Sequence, residues 1–373
     1  MMIRRIAVLS NLRLSRLLYP AFLLLLAGCA THDAPTPVPP SRHADLGRLV
    51  PPDRVMDVPG TGRVPMRVWR ATGTPRAVVL ALHGFNDSRD AWERPGPVLA
   101  RQGITLYAPD QPGFGAMPDR GGWAGTDALV AAARVEAAAI ARENPGLPLY
   151  VMGESMGGAV AVCMSAQDGA SGETHANVSA GPPDIAGYIL LAPAVWDLGA
   201  GTDATLRAMA TLAPQWRLTG RELPVHVTAS DDILALARLY YDPLTLRTTR
   251  TTALAGLATL MHRAAHEVGH MHGPVLAVYG GRDQLVPLAA MTRAWAHLPP
   301  GARRDFIPAG YHLLLRGRQG DKVMRDIVSW IERPDDFLPS GGDIAASTWN
   351  DARAGHAQPP FFLPAQMDGL VRK

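Results

Sequence analysis

The chain has 373 residues, 47% of them hydrophobic and 18% charged, which is ordinary globular composition and enough for one large α/β domain with a sizeable insertion. Its formal charge of +3 resides at the N-terminus: residues 1–28 hold four Arg and no acid, and without them 32 basic face 33 acidic residues, which excludes a nucleic-acid protein. With two cysteines, Cys29 directly after that segment and Cys163, a disulfide framework is excluded as well.

Residues 1–28 read as a targeting segment, with Arg4, Arg5, Arg13 and Arg16 preceding a mostly apolar run from Leu17 to Leu26. Leu26-Ala27-Gly28-Cys29 resembles the bacterial lipoprotein signal, in which Cys29 receives lipid. Ala30 follows, where Asp is the family's signal for retention at the inner membrane. The resemblance therefore implies a lipid-anchored protein of the bacterial cell envelope, at the outer membrane facing the periplasm. An uncleaved N-terminal anchor, or an ordinary signal peptide with a chance cysteine, is the alternative. Cys163 then stays unpaired, as a buried structural thiol.

Residues 29–52 carry Pro35, Pro37, Pro39, Pro40, Pro51 and Pro52 and form an extended tether. Val55–Val58 and Val64–Trp69 predict a hairpin around Gly60-Thr61-Gly62. Ala77–Leu82 is continuously apolar, as expected of a strand buried on both faces, and leads into His83-Gly84-Phe85-Asn86. Leu106–Pro109 is the next strand and ends at Asp110. Thr126 is placed to cap a helix over 127–144, which Pro145 stops. Pro148–Met152 and Tyr188–Ala192 are further strands, and Gln167–Pro183 between them is a long polar surface loop. This alternation predicts a mostly parallel sheet with right-handed crossovers.

From Val195 to about 270 the pattern changes to helical segments, including Asp231–Tyr241 and Thr251–His266, and predicts a cap inserted after the sixth strand. Val275–Tyr279 resumes the sheet, Asp305–Ile307 closes it, and Lys322–Ile331 is a final helix. The folded domain is thus expected over 53–334. Residues 335–373, rich in Gly, Pro and Ala, are expected to be a loosely packed tail.

Between the third parallel strand and its helix sits Gly153-Glu154-Ser155-Met156-Gly157. Glycine two positions either side of Ser155 removes Cβ atoms that a sharp strand-to-helix turn could not accommodate. The serine is lifted to a helix N-terminus, where free N–H groups favour developing negative charge. A serine hydroxyl needs a base, and the base needs an orienting group. Asp283, in Gly280-Gly281-Arg282-Asp283, and His312, in Ala309-Gly310-Tyr311-His312, each directly follow a predicted strand. Chain order Ser155, Asp283, His312 then defines a candidate triad. The backbone N–H groups of Phe85 and Met156 are candidates for the oxyanion hole, their side chains for the acyl pocket. Asp110 is expected to hold its own loop, and His83 to be structural.

These motifs, with Asp110-x-x-Gly113-x-Gly115 and Asp242-Pro243-Leu244, resemble the monoacylglycerol lipase/lysophospholipase branch of the α/β-hydrolases from about Ala77 to Ile331. The resemblance implies an α/β-hydrolase fold and a serine esterase that cleaves acylglycerol or lysophospholipid esters through an acyl-enzyme, with no cofactor and no metal. Gln111-Pro112 departs from the family, which commonly has a basic residue just before Gly113. A proline-iminopeptidase-like peptidase shares fold and triad, although those enzymes more often carry Gly-Gly-Ser-Trp-Gly at the turn. A catalytically silent lipid- or partner-binding lipoprotein is the remaining alternative.

His266-Glu267-Val268-Gly269-His270 fits the zinc-protease pattern H-E-x-x-H. The third histidine of the extended form would fall at Leu276, and no Glu lies between Glu267 and Glu332 to replace it. The pattern is therefore read as part of a solvated cap helix.

Overall fold

The computed structural model describes residues 35–170, 184–219 and 227–354. The lipoprotein-type signal with Cys29, most of the 167–183 loop and the last 19 residues lie outside the described residues.

Eight strands form one sheet: β1 (Arg54–Val58), β2 (Gly62–Trp69), β3 (Ala77–Leu82), β4 (Ile104–Pro109), β5 (Leu149–Glu154), β6 (Ile185–Leu191), β9 (Val275–Gly280) and β10 (Arg303–Ile307), where β7 and β8 are two-residue strands of the cap described below. Their order across the sheet is β1-β2-β4-β3-β5-β6-β9-β10. Pairings β1–β2 and β2–β4 are antiparallel, and every pairing from β4 onward to β10 is parallel. The continuous apolar runs explain this: every residue of β3, β4, β5 and β9 is buried, as parallel strands covered on both faces require.

Helices α1 (Pro95–Arg101), α2 (Thr126–Glu143), α3 (Met156–Ala170), α7 (Leu288–His297) and α8 (Gly320–Glu332) belong to the sheet domain. Thr126 is the first residue of α2, not its cap; Gly125 precedes it at φ +100°, and no side chain caps the helix. α1 and α7 escape sequence analysis because each is short and begins in a Pro-containing stretch. Parallel registers put the C-terminal ends of β3, β5, β6, β9 and β10 on one edge, with Leu82 opposite Gly153, Leu191 opposite both Glu154 and Val278, and Phe306 opposite Tyr279.

The insertion after β6 holds α4 (Ala200–Leu212), β7 (Arg217–Leu218), α5 (Ile233–Tyr241) and β8 (Thr249–Arg250), with β7 and β8 antiparallel. Asp232 caps α5 by accepting from the N–H groups of Leu234 and Ala235. α6 (Thr251–Glu267) lies between the two layers. It packs on α4 of the cap and on α3, and its Leu260, Met261 and Ala264 are part of the main core.

The expectation of a loose tail from 335 is corrected over 342–354. There α9 (Gly342–Ala354) packs on β10. Trp349, fully buried, stacks on Phe306 at 5.8 Å and meets Trp295 edge-on, while Arg303 holds Asp343 at 2.8 Å. Over 342–349 the helix buries little apolar surface beyond Ala346 and Trp349, so its apolar periodicity is too sparse to read from sequence. Among the described residues no helix is long and apolar enough to cross a membrane.

Candidate active site

β5 ends at Glu154 and α3 begins at Met156, so Ser155 alone makes the turn. It does so at φ +53°, a left-handed conformation that a side chain adopts only under constraint. The constraint is the packing of the glycines. A Cβ on Gly157 would collide with the Leu82 carbonyl at the end of β3, and one on Gly153 with the backbone of Gly157. The Ser155 N–H donates to Leu191 O at 2.9 Å, and its carbonyl accepts from Ala194 at 2.9 Å and Ala159 at 3.1 Å. The serine backbone is thus fixed from both sides, while its hydroxyl makes no hydrogen bond among the described residues.

Asp283 follows β9 and His312 follows β10. Twenty-nine residues apart in sequence, they meet through His312 Nδ1 and Asp283 Oδ2 at 2.7 Å, with side chains 4% and 3% exposed. The other Asp283 oxygen accepts from the N–H groups of Leu285 and Val286 at 2.8 and 3.0 Å, which anchors the carboxylate to its own loop. Because Nδ1 faces the carboxylate, the tautomer with a proton there leaves Nε2 as the basic nitrogen.

The loop after β3 lies against the serine: a Cβ on Gly84 would sit 3.5 Å from Ser155 Cβ. Neither the Phe85 nor the Met156 N–H donates to a protein acceptor among the described residues. The Phe85 ring packs edge-on against Phe114 at 5.5 Å. The Met156 side chain is wholly buried in the core, so it does not line an acyl mouth as its place in sequence suggests.

His83 is structural. It is buried, its Nε2 accepts from the Gln111 N–H at 3.0 Å and its Nδ1 meets Gly84 O at 2.8 Å. Burial lowers its pKa and keeps the ring neutral, as an accepting Nε2 requires. Gln111 donates from Nε2 to His83 O at 2.7 Å. Asp110 holds its loop: it pairs with buried Arg89 and accepts from the N–H groups of Arg89 and Ala116.

Sequence analysis missed an ion cluster beneath the site. Arg316, four residues beyond His312, reaches Glu154 at 2.5 Å and Asp87 at 2.7 Å. Burial opposes its charge, but the two carboxylates outweigh burial and raise its pKa. One guanidinium thereby fastens the serine turn and the β3 loop to the histidine loop. The signal was a lone charge after the apolar run Leu313-Leu314-Leu315. The cap is pinned to the same loops: Leu246 N–H donates to Asn86 O, Asn86 Nδ2 to Thr249 Oγ1, and Leu313 N–H to Ala229 O.

This sheet order, the strained serine turn and the helical insertion after the sixth strand define an α/β-hydrolase. The family profile described as serine aminopeptidase S33 (Hydrolase_4) matches residues 73–319, and the chain belongs to that family. It is similar to the monoacylglycerol lipase of Mycolicibacterium smegmatis, with 25% identity over 282 residues, 73% of this chain and 94% of that one. Its structure is similar to a soluble variant of monoglyceride lipase from Saccharomyces cerevisiae (TM-score 0.62, 17% identity, 80% of this chain and 99% of that one). Monoacylglycerol lipase from Paleococcus ferrophilus is similar too (TM-score 0.58, 21% identity, 72% and 98% covered). At such identities the solved structures speak for the fold. The chain is a serine hydrolase of the monoacylglycerol lipase-like kind.

Proposed function

We propose that the protein hydrolyses carboxylic esters of acylglycerol or lysophospholipid type, with Ser155 as nucleophile, His312 as base and Asp283 as orienter. The observation that carries this reading is the buried 2.7 Å bond from His312 Nδ1 to Asp283 on the edge of the sheet where Ser155 stands. In the first step His312 Nε2 takes the Ser155 proton as Oγ attacks the ester carbonyl. The oxyanion is held by the Phe85 and Met156 N–H groups, each worth about 3–4 kcal/mol in a water-poor site. His312 then returns the proton to the leaving alcohol, and a water activated by the same nitrogen releases the acid.

An apolar acyl group is favoured by the composition of the cap, which between Val195 and His266 is rich in Leu, Met and Ala. Each methylene buried would contribute roughly 0.8 kcal/mol, part of which reaches kcat/KM. The family's description as serine aminopeptidases favours the peptidase as second reading. A series of p-nitrophenyl and monoacylglycerol esters of increasing acyl length, run beside proline β-naphthylamide, separates the two. Rising kcat/KM from short to medium chains with little amide cleavage is expected; a maximum at acetate leaves a short-chain esterase, and faster amide cleavage makes it a peptidase. We also propose lipid attachment at Cys29, which places this chemistry at a bacterial envelope membrane.

A further inference from the structure

The H-E-x-x-H pattern is rearranged by the fold. α6 ends at Glu267, so His270 falls in a separate 3-10 turn, Val268–His270, and Glu267 is held by Arg263 at 2.8 Å. The histidine that stands one helical turn from His266 is His262, four residues earlier on α6, and their ring centroids are 4.4 Å apart. Asp197, on the segment that leaves β6 for the cap, brings Oδ1 to 3.4 Å from His262 Nδ1. One donor atom from each of Asp197, His262 and His266 lies within 4.8 Å of the other two.

We propose that Asp197, His262 and His266 bind one transition-metal cation of the Zn²⁺ type and so fasten the entry of the cap to α6. Tetrahedral zinc with bonds near 2.0–2.1 Å sets its donors roughly 3.3 Å apart, so small rotations of these part-exposed side chains complete the geometry. Two imidazoles and one carboxylate suit Zn²⁺, Ni²⁺ or Cu²⁺, and not the all-oxygen preference of Ca²⁺ or Mg²⁺. Two further features support it. The Gly199 N–H donates to Asp197 Oδ1 at 2.8 Å, which fixes the carboxylate on its loop. Asp203 shares a cavity of about 260 Å³ with Asp197, Thr259 and His262, and its Oδ1 is buried without a hydrogen-bond partner among the described residues, an acceptor placed to serve a metal-bound water or ligand. Arg207 lines the same cavity and is the one opposing charge among its described lining residues.

The site would be structural rather than hydrolytic. It joins the first residues of the cap to the helix that carries α4 on one side and α3 on the other. Metal binding here would add stability to the closed cap without entering the ester reaction.

The test is calorimetric titration of chelator-stripped, dialysed protein with ZnCl₂, with melting followed in parallel. One equivalent should bind, Tm should rise by at least about 2 °C well above Kd, and Co²⁺ should give the visible absorption of a tetrahedral site. Asp197→Ala, His262→Ala and His266→Ala should each weaken binding more than about tenfold and remove the Tm rise, whereas His270→Ala should retain both. Labelling of each variant by a fluorophosphonate reports that it has folded. No zinc bound to wild type, binding that survives all three substitutions, or binding lost with His270→Ala would each overturn the proposal.

Discussion

Arg316 donates from Nη2 to Glu154 Oε1 at 2.5 Å, joining the loop that carries His312 to the residue immediately before Ser155. With Asp87 on the same guanidinium, three loops that come together at the site share one buried cation. Removing it leaves two buried carboxylates opposed to no charge, which costs far more than losing a surface pair. Arg316→Met should therefore lower unfolding stability by about 3–5 kcal/mol, measured by urea denaturation. Adding Glu154→Gln should restore part of the loss, because one of the stranded charges goes with it. Unchanged stability in Arg316→Met would mean the cluster is not what holds these loops.

Ser155→Ala and His312→Ala should each reduce esterase kcat by several orders of magnitude, since members of a triad act as one unit. Asp283→Asn should also be severely impaired, because an amide can present its N–H to Nδ1 and favour the wrong tautomer. More than a tenth of wild-type activity in Ser155→Ala would remove it as nucleophile. The proposed Ser155 mechanism contains no metal step, so chelation should leave turnover intact even where it lowers Tm. Loss of turnover to EDTA with recovery on added zinc would count against the serine mechanism.

Glu136, on α2, is fully buried, its Oε1 has no partner among the described residues, and burial pushes its pKa from an ordinary 4.5 up to about 8. Between those two values the folded state keeps a proton that the unfolded state has released. Stability from this group is thus fully present below about 4.5 and falls as pH rises towards 8, by about 1.4 kcal/mol per pH unit. Glu136→Gln should flatten the decline of stability between pH 5 and 8, as read from urea midpoints. A parallel decline in mutant and wild type would assign it to other groups.

Cys29→Ser should abolish lipid attachment and shift the protein out of the membrane fraction, while the folded domain keeps its activity. The measurement is incorporation of radiolabelled palmitate in intact cells. Label retained in the mutant would place any lipid elsewhere.

What sequence alone determined is what depends on near neighbours. Apolar runs specify buried strands, glycines on either side of Ser155 specify a turn too tight for side chains, and the order serine, aspartate, histidine at strand ends was legible because each lies just past its strand. The cap was legible as a break in strand pattern, though not its boundary: α6 looks like the other cap helices until its Leu260 and Met261 are seen in the main core. Tertiary structure decided everything that joins distant residues. Arg316 meets Glu154 across 162 positions, and Trp349 is buried only because Phe306 and Trp295 offer their rings to it. The histidine pair was decided there too. His266 has partners at equal spacing on either side in sequence, and only the end of α6 at Glu267, with Asp197 arriving from the cap, selects His262 over His270. Local propensity sets a backbone period, but which faces meet depends on how the sheet closes and where each helix stops.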